Sequence, residues 1–211
     1  MDIKRITERV RRNTPHPIGW HSRFSVLLPL VEREGRLDVL FEVRSDTLKH
    51  QPGEVSFPGG KMEGSETPEA CAVRETCEEL GLAAADVEVL GELNYIIVYS
   101  GFTMYAFLGL LDARALAAAV PSVEEVKEIF FVPLSFFLAE GPALYESAIV
   151  PQVAADFPTE KVSPDGRYNW RRGKHVVPIY TYVDPEANRE RVIWGLTARL
   201  MNDFAKMLTE K

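Results

Sequence analysis

The stretch GKMEGSETPEACAVRETCEELGL, residues 60–82, decides how this chain is read. A glycine-rich turn, Pro58–Gly59–Gly60, leads through a loop into a segment that carries start and stop signals for a helix. Thr67 is placed to cap it, and Pro68 suits a first turn whose N–H groups have no partner. Gly81 can close it in a left-handed conformation. Ala70, Val73, Cys77 and Leu80 recur three or four apart and predict its buried stripe. Glu75, Glu78 and Glu79 fall at i, i+3 and i+4, so their side chains share a face with Cβ atoms ~5–6 Å apart. Like charges that close destabilise a helix. A hard divalent cation such as Mg²⁺, which prefers oxygen ligands, would offset the repulsion. Arg74 can pair with Glu78 one turn on or with Glu66 across the loop. The competing reading is a solvated acidic helix face.

On the N-terminal side of this stretch, Phe24–Val31 and Leu37–Val43 are β-rich runs around Glu34–Gly35–Arg36 and predict an antiparallel pair. Residues 45–64 are rich in turn formers. On the C-terminal side, Val87–Val98 and Thr103–Leu111 read as strands joined near Ser100–Gly101, and Glu125–Val132 as another, followed by a short helix around Leu134–Leu138. Val176–Val183 predicts a late strand. Val192–Leu208 predicts a final helix with Leu196, Leu200, Phe204 and Met207 on one side. Residues 142–175 are irregular, rich in proline and charge, and read as a loop insertion. Residues 2–13 place Ile3, Ile6 and Val10 at helical spacing, which makes residues 1–20 an N-terminal helical extension of a single domain spanning 1–211. Strands mixed before and after a central helix predict an α/β fold with a mixed sheet covered by helices.

A chain of 211 residues with 46% hydrophobic content can bury a core without disulfides or structural metal. Holding nucleic acid through its phosphates needs a strongly basic surface, which at a net charge of −7 the chain overall does not have. A small anionic substrate stays open, because it feels the local field and any bound metal. Cys71 and Cys77, six apart on one helix, are separated by ~9 Å of rise, too far for a disulfide. The first residues are charged without an apolar signal-type core, and no apolar run reaches the ~20 residues that span a bilayer. Together these features predict a soluble cytoplasmic protein with no membrane partner. The oligomeric state is open, a homodimer included.

The spacing Gly60, five residues, Glu66, seven residues, Arg74–Glu75, then Glu78–Glu79 and Gly81–Leu82 resembles the Nudix box. One position departs, with Thr76 where the pattern has a bulky aliphatic residue. The resemblance implies an α/β/α sandwich and metal-dependent hydrolysis of a nucleoside diphosphate linked to another group, with Mg²⁺ or Mn²⁺ as cofactor. It implies Glu75, Glu78 and Glu79 as metal ligands, joined by the carbonyl of Gly59. Arg74 and Glu66 would orient those ligands. A carboxylate would serve as base, one of Glu75, Glu78 and Glu79 within the box or Glu124, Glu125 or Glu128 outside it, with Glu125 taken as the candidate outside the box.

A second resemblance lies upstream. Leu40–Phe41–Glu42–Val43–Arg44–Ser45, Leu48–Lys49 and Gly53–Glu54–Val55–Ser56–Phe57–Pro58–Gly59–Gly60 are similar to the motif of the coenzyme A diphosphatase branch. So are Glu125–Val126 through Val132–Pro133–Leu134, and Trp194–Gly195–Leu196–Thr197–Ala198. The departures are Gln51 in place of His and Glu54 in place of Gln. The branch implies cleavage of CoA or acyl-CoA to 3′,5′-ADP and (acyl-)4′-phosphopantetheine. Arg44 and Lys49 could meet the phosphates. Arg171–Arg172–Gly173–Lys174–His175 could meet a 3′-phosphate or be a solvated basic loop. Tyr168 and Trp170 could stack on adenine or anchor the loop. The alternatives are another diphosphate substrate, such as ADP-ribose, and a non-catalytic nucleotide-binding regulator.

Overall fold

A computed structural model describes residues 2–14, 17–19, 21–163, 165 and 170–210. In chain order its elements are α1 (Ile3–Arg11), β1 (Ser22–Arg33), β2 (Arg36–Arg44), β3 (Val55–Ser56), β4 (Gly59–Lys61), α2 (Pro68–Leu80), β5 (Val87–Glu92), β6 (Ile96–Val98), β7 (Phe102–Leu111), α3 (Ala113–Ala118), β8 (Val126–Pro133), α4 (Leu134–Ala139), β9 (Ala143–Ile149), α5 (Thr159–Val162), β10 (Gly173–Asp184), β11 (Arg189–Trp194) and α6 (Gly195–Thr209).

β1 organises the main sheet. Its far half pairs antiparallel with β2 through a two-residue turn, Glu34–Gly35, in which both φ angles are positive, 52° and 75°. That geometry matches the twist of a hairpin. Its near half pairs with β4, and its other edge runs parallel to β7 over Ser22–Val31. β2 carries β3 and β8, and β7 carries β5 and β6, all antiparallel. The sheet is therefore mixed, as expected.

The apolar run of β1 is continuous because both faces of the sheet are covered. Val26, Leu28 and Leu30 face a core shared with Phe137 of α4 and with Leu200, Met201 and Phe204 of α6. Leu27 and Val31 face a second core with Ala72 and Leu80 of α2 and Leu116 of α3. Helices on both faces make the α/β/α sandwich. α2 is held by Thr67, whose hydroxyl accepts from Ala70 N, and by Gly81 at φ 71°. Its buried stripe differs from the expected one: Ala70 is exposed, while Thr76 and Glu79 are buried beside Cys71, Ala72 and Leu80. Thr76 is tolerated there because its hydroxyl donates to Ala72 O at 2.7 Å.

Other expectations are corrected. Residues 142–175 hold β9 and the start of β10, paired from Gly173↔Ile149 to Ile179↔Ala143, with α5 between them. Their polar, proline-rich composition hid a ribbon whose β9 is mostly exposed, so no apolar alternation marks it. The predicted final helix loses its first residues to β11, whose pairing with β10 claims Val192–Trp194; the helix starts only at Gly195. Its expected Met207 is 49% exposed, whereas Leu200 and Phe204 are buried. The strand predicted over 87–98 is split at Leu93–Tyr95 into β5 and β6, beyond a register shift between Val89 and Gly91. α1 forms on an Asp2 cap, but Ile3, Ile6 and Val10 stay exposed. Cys71 and Cys77 are both free. No helix among the described residues is long and apolar enough to cross a membrane.

Candidate active site

Two glycines bring the loop against α2. Gly59 adopts φ 151°, and a Cβ there would collide with the backbone of Ser25 and Val26 on β1. Any side chain on Gly60 would occupy the space of the Glu75 carboxylate. With both glycines in place, Gly59 N donates to Glu79 Oε2 at 2.7 Å, and Glu79 is 4% exposed. A third glycine works at the far end of the helix. Gly81 leaves room for the carbonyl of Val120, and Ser122 N donates to Glu79 O at 2.9 Å. The turn that follows sets Glu125 beside the cluster, and Glu125 O accepts from Ser45 N at the end of β2.

Arg74 ties the acidic face together. Its guanidinium donates to both oxygens of Glu66, at 3.2 and 2.9 Å, and meets Glu75 at 2.9 Å and Glu78 at 3.0 Å. Glu66 also accepts from Glu63 N. The Arg74 hydrogen bonds, with that backbone donor, hold the Glu66 carboxyl down to about 2. The same contact with Glu66 raises Arg74 further. Burial pushes the Cys71 thiol up to about 12, which suits an inert packing group.

The carboxylates facing the sheet behave differently. Burial raises Glu75, with Glu78 and Glu125 adding repulsion against the pull of Arg74. Burial raises Glu79 most, followed by the charge of Glu42 and, behind it, those of Glu75 and Glu125. Glu42 was quoted within the upstream motif without a role. It is 1% exposed on β2, accepts from Ser56 Oγ at 2.9 Å, and its Oε2 has no hydrogen-bond partner among the described residues. The available signal was strand alternation: Leu40 faces the α2 core, so Glu42, two residues on, faces the same way.

The donor set fits a hard divalent cation. Oxygens alone are offered, negative charge exceeds positive, and one buried carboxylate oxygen has no protein partner. Among the described residues no three acidic, histidine or cysteine side chains are already gathered on one point. Glu78, with its side chain 57% exposed, is turned to Arg74.

Arg44 ends β2 close enough for its charge to act on Glu42, and its buried Nε has no hydrogen-bond partner among the described residues. Lys49 stands exposed in the turn beyond, and Glu54 accepts from Gln51 there. Thr197 of α6 donates to Val55 O at 3.2 Å, which docks the Trp194–Ala198 motif on β3. Three other candidates are placed in structural roles. Glu128 is bound by Arg189 and Arg191, and so is not free to act as a base. Lys174 pairs with Glu146 across β9 and β10. Trp170 packs edge-on against Phe157 at 5.5 Å, a loop anchor. Tyr168 lies outside the described residues.

A NUDIX domain model matches residues 21–147. The peroxisomal coenzyme A diphosphatase NUDT7 of Mus musculus is 36% identical over 90% of this chain and 72% of its own length. The chain belongs to the Nudix family. The mitochondrial coenzyme A diphosphatase NUDT8 of Homo sapiens is 38% identical over 87% of this chain and 68% of its own. Among solved structures, the Nudix hydrolase RenU of M. Smegmatis is 26% identical, covering 56% of this chain and 74% of that one with a TM-score of 0.44. This Nudix protein is a pyrophosphohydrolase, and hydrolases of the family work with divalent metal ions. The cytoplasmic expectation is overturned, since these relatives are named for the peroxisome and the mitochondrion. Two free thiols and a charged first segment do not distinguish the cytosol from an organelle.

Proposed function

We propose that this Nudix hydrolase cleaves the diphosphate of coenzyme A or an acyl-CoA to 3′,5′-ADP and (acyl-)4′-phosphopantetheine. The observation that carries this reading is the run from Leu40 to Gly60, similar to the CoA diphosphatase motif. In the fold that run lies beside α2, with Arg44 on β2 and Gly59–Gly60 on β4. Two relatives named as CoA diphosphatases match nine-tenths of the chain or close to it.

Glu75, Glu78, Glu79 and the carbonyl of Gly59 would hold Mg²⁺ or Mn²⁺. Bound there, the ion would neutralise phosphate oxygens and lower the pKa of the attacking water. The protein's own groups do the rest. Arg74, gripped by Glu66, keeps Glu75 and Glu78 aligned, a role that fixes ligand geometry. Arg44 offers its guanidinium to a diphosphate oxygen, and Lys49 adds a point charge. Glu125, exposed beside Glu75 and Glu79, accepts the proton of the attacking water. The substrate is a small molecule, and a net charge of −7 offers nothing to a nucleic-acid backbone.

The test is product analysis by mass spectrometry with CoA, dephospho-CoA and ADP-ribose in Mg²⁺. The expected result is 3′,5′-ADP and phosphopantetheine, formed fastest from CoA. Cleavage of ADP-ribose alone would discard the CoA assignment and keep the hydrolase. Thermal stabilisation by nucleotide with no product from any substrate would indicate a binding protein.

A further inference from the structure

Glu42 has no role in the carboxylate helix, yet it is the most deeply buried acid near it. Two neighbours share its condition. Among the described residues four buried side-chain atoms have no hydrogen-bond partner; Ser25 Oγ, Glu42 Oε2 and Arg44 Nε lie on the stretches of β1 and β2 near Gly59–Gly60, while the fourth, Asp38 Oδ2, lies at the far end of β2, 3.6 Å from Arg33. A buried carboxylate with one unsatisfied oxygen is costly, because desolvation disfavours its charge, and the Ser56 hydroxyl and the Arg44 charge offset only part of that for Glu42. Placing it next to Glu79, itself buried and acidic, adds to the cost. The slot beyond Leu40 could be filled by a smaller neutral side chain without this penalty. Glu42 is also not free to turn away: the Ser56 hydroxyl holds its Oε1 at 2.9 Å, which leaves Oε2 as the free ligand. Ser56 sits on β3, three residues before Gly59, so the loop that presents Gly59 also sets the Glu42 rotamer.

We propose that Glu42 is a further acidic ligand of the cation centre, contributed by β2 from outside the carboxylate helix and positioned by Ser56. The inference rests on the reading of Glu75, Glu78 and Glu79 as cation ligands. It adds a ligand from β2 to a set otherwise drawn from α2 and the first residue of β4. A ligand on a central strand cannot shift with the helix, and such rigidity favours a small ion with strict geometry.

The test is Mn²⁺ binding to the metal-free protein, read by the loss of the free-ion electron paramagnetic resonance signal, with no substrate present. Wild type is compared with Glu42→Gln, Ser56→Ala and Glu79→Gln. Glu42→Gln keeps the shape and the Ser56 contact, and should weaken Mn²⁺ about tenfold to hundredfold or more. Without metal its melting temperature should equal or exceed that of wild type, since a buried like charge is gone. Ser56→Ala should weaken Mn²⁺ by a smaller factor. It also serves as the test if Glu42→Gln does not fold, and unchanged affinity would then overturn the positioning by Ser56 and the ligand role with it. Unchanged Mn²⁺ affinity in a folded Glu42→Gln, with loss in Glu79→Gln, would overturn the role of Glu42 and leave the centre standing. A lower metal-free melting temperature with unchanged affinity would mark Glu42 as purely structural. No Mn²⁺ binding by wild type would remove the centre itself.

Discussion

Two clusters of charged side chains in this protein use the same residue types to opposite ends. On the outer part of the fold, Arg191 lies between Glu128 of β8 and Asp184 of β10, at 2.9 Å from each, with Arg189 on the other side of Glu128. Two guanidiniums meet two carboxylates, and Asp184 also accepts from the backbone of Glu186 and Ala187. Arg191 further stacks over the Phe130 ring at 4.3 Å. Against burial, these partners hold Glu128 and Asp184 below the usual carboxylate range. That cluster is complete and joins the three-stranded sheet to the main one. Beside α2, by contrast, Glu42, Glu75 and Glu79 are all raised, burial being the largest cause for each. Charge left unbalanced inside a fold marks where a ligand must supply the balance. Charge balanced by its neighbours marks a joint.

The largest effect should come from the acidic face of α2. Glu78→Gln is expected to lower turnover on the order of 10²-fold or more, with the melting temperature nearly unchanged because this side chain is 57% exposed. Near-normal turnover with intact metal dependence would remove Glu78 from the site and blur the contrast. The balanced cluster should respond in stability instead. Arg191→Ala leaves Glu128 and Asp184 without their shared cation and should cost about 3 kcal/mol, measured by urea unfolding. Its turnover per folded molecule should stay near wild type; a loss of turnover without a loss of stability would return Glu128 to the list of bases.

The smallest effect sharpens the boundary between the two regions. Glu66 belongs to the acidic face but is satisfied like the outer cluster, through Arg74. Its folded pKa, about 2, lies below the unfolded value of ~4.3. Its contribution is therefore full above the unfolded value and lost as pH falls toward 2. The melting-temperature gap between wild type and Glu66→Gln should be present at pH 6, shrink below ~4.5 and close near 2. A gap independent of pH would mean that Glu66 acts through packing and not through its charge on Arg74.

The local sequence determined α2, its Thr67 and Gly81 ends, the spacing of Glu75, Glu78 and Glu79 along it, and the hairpin at Glu34–Gly35. Capping, helical spacing and turn conformation are properties of adjacent residues, so they can be read without a fold. The family, too, lay in the spacing of residues 60–82. What depended on distant partners was not legible. β9 and β11 owe their form to β10, a strand that lies 24 residues beyond the end of one and shortly before the other. The burial of Thr76 and Glu79 in place of Ala70 follows from which face of α2 the sheet covers. Glu128 looked like a free carboxylate until Arg191, 63 residues on, was brought to it. Glu42 stood in the upstream motif without a role, and only the tertiary structure set it against Ser56 and within reach of the Glu79 charge. Burial and the company of far residues decide whether a charge is a joint or a site, and those are made by the fold, not by the neighbours in the chain.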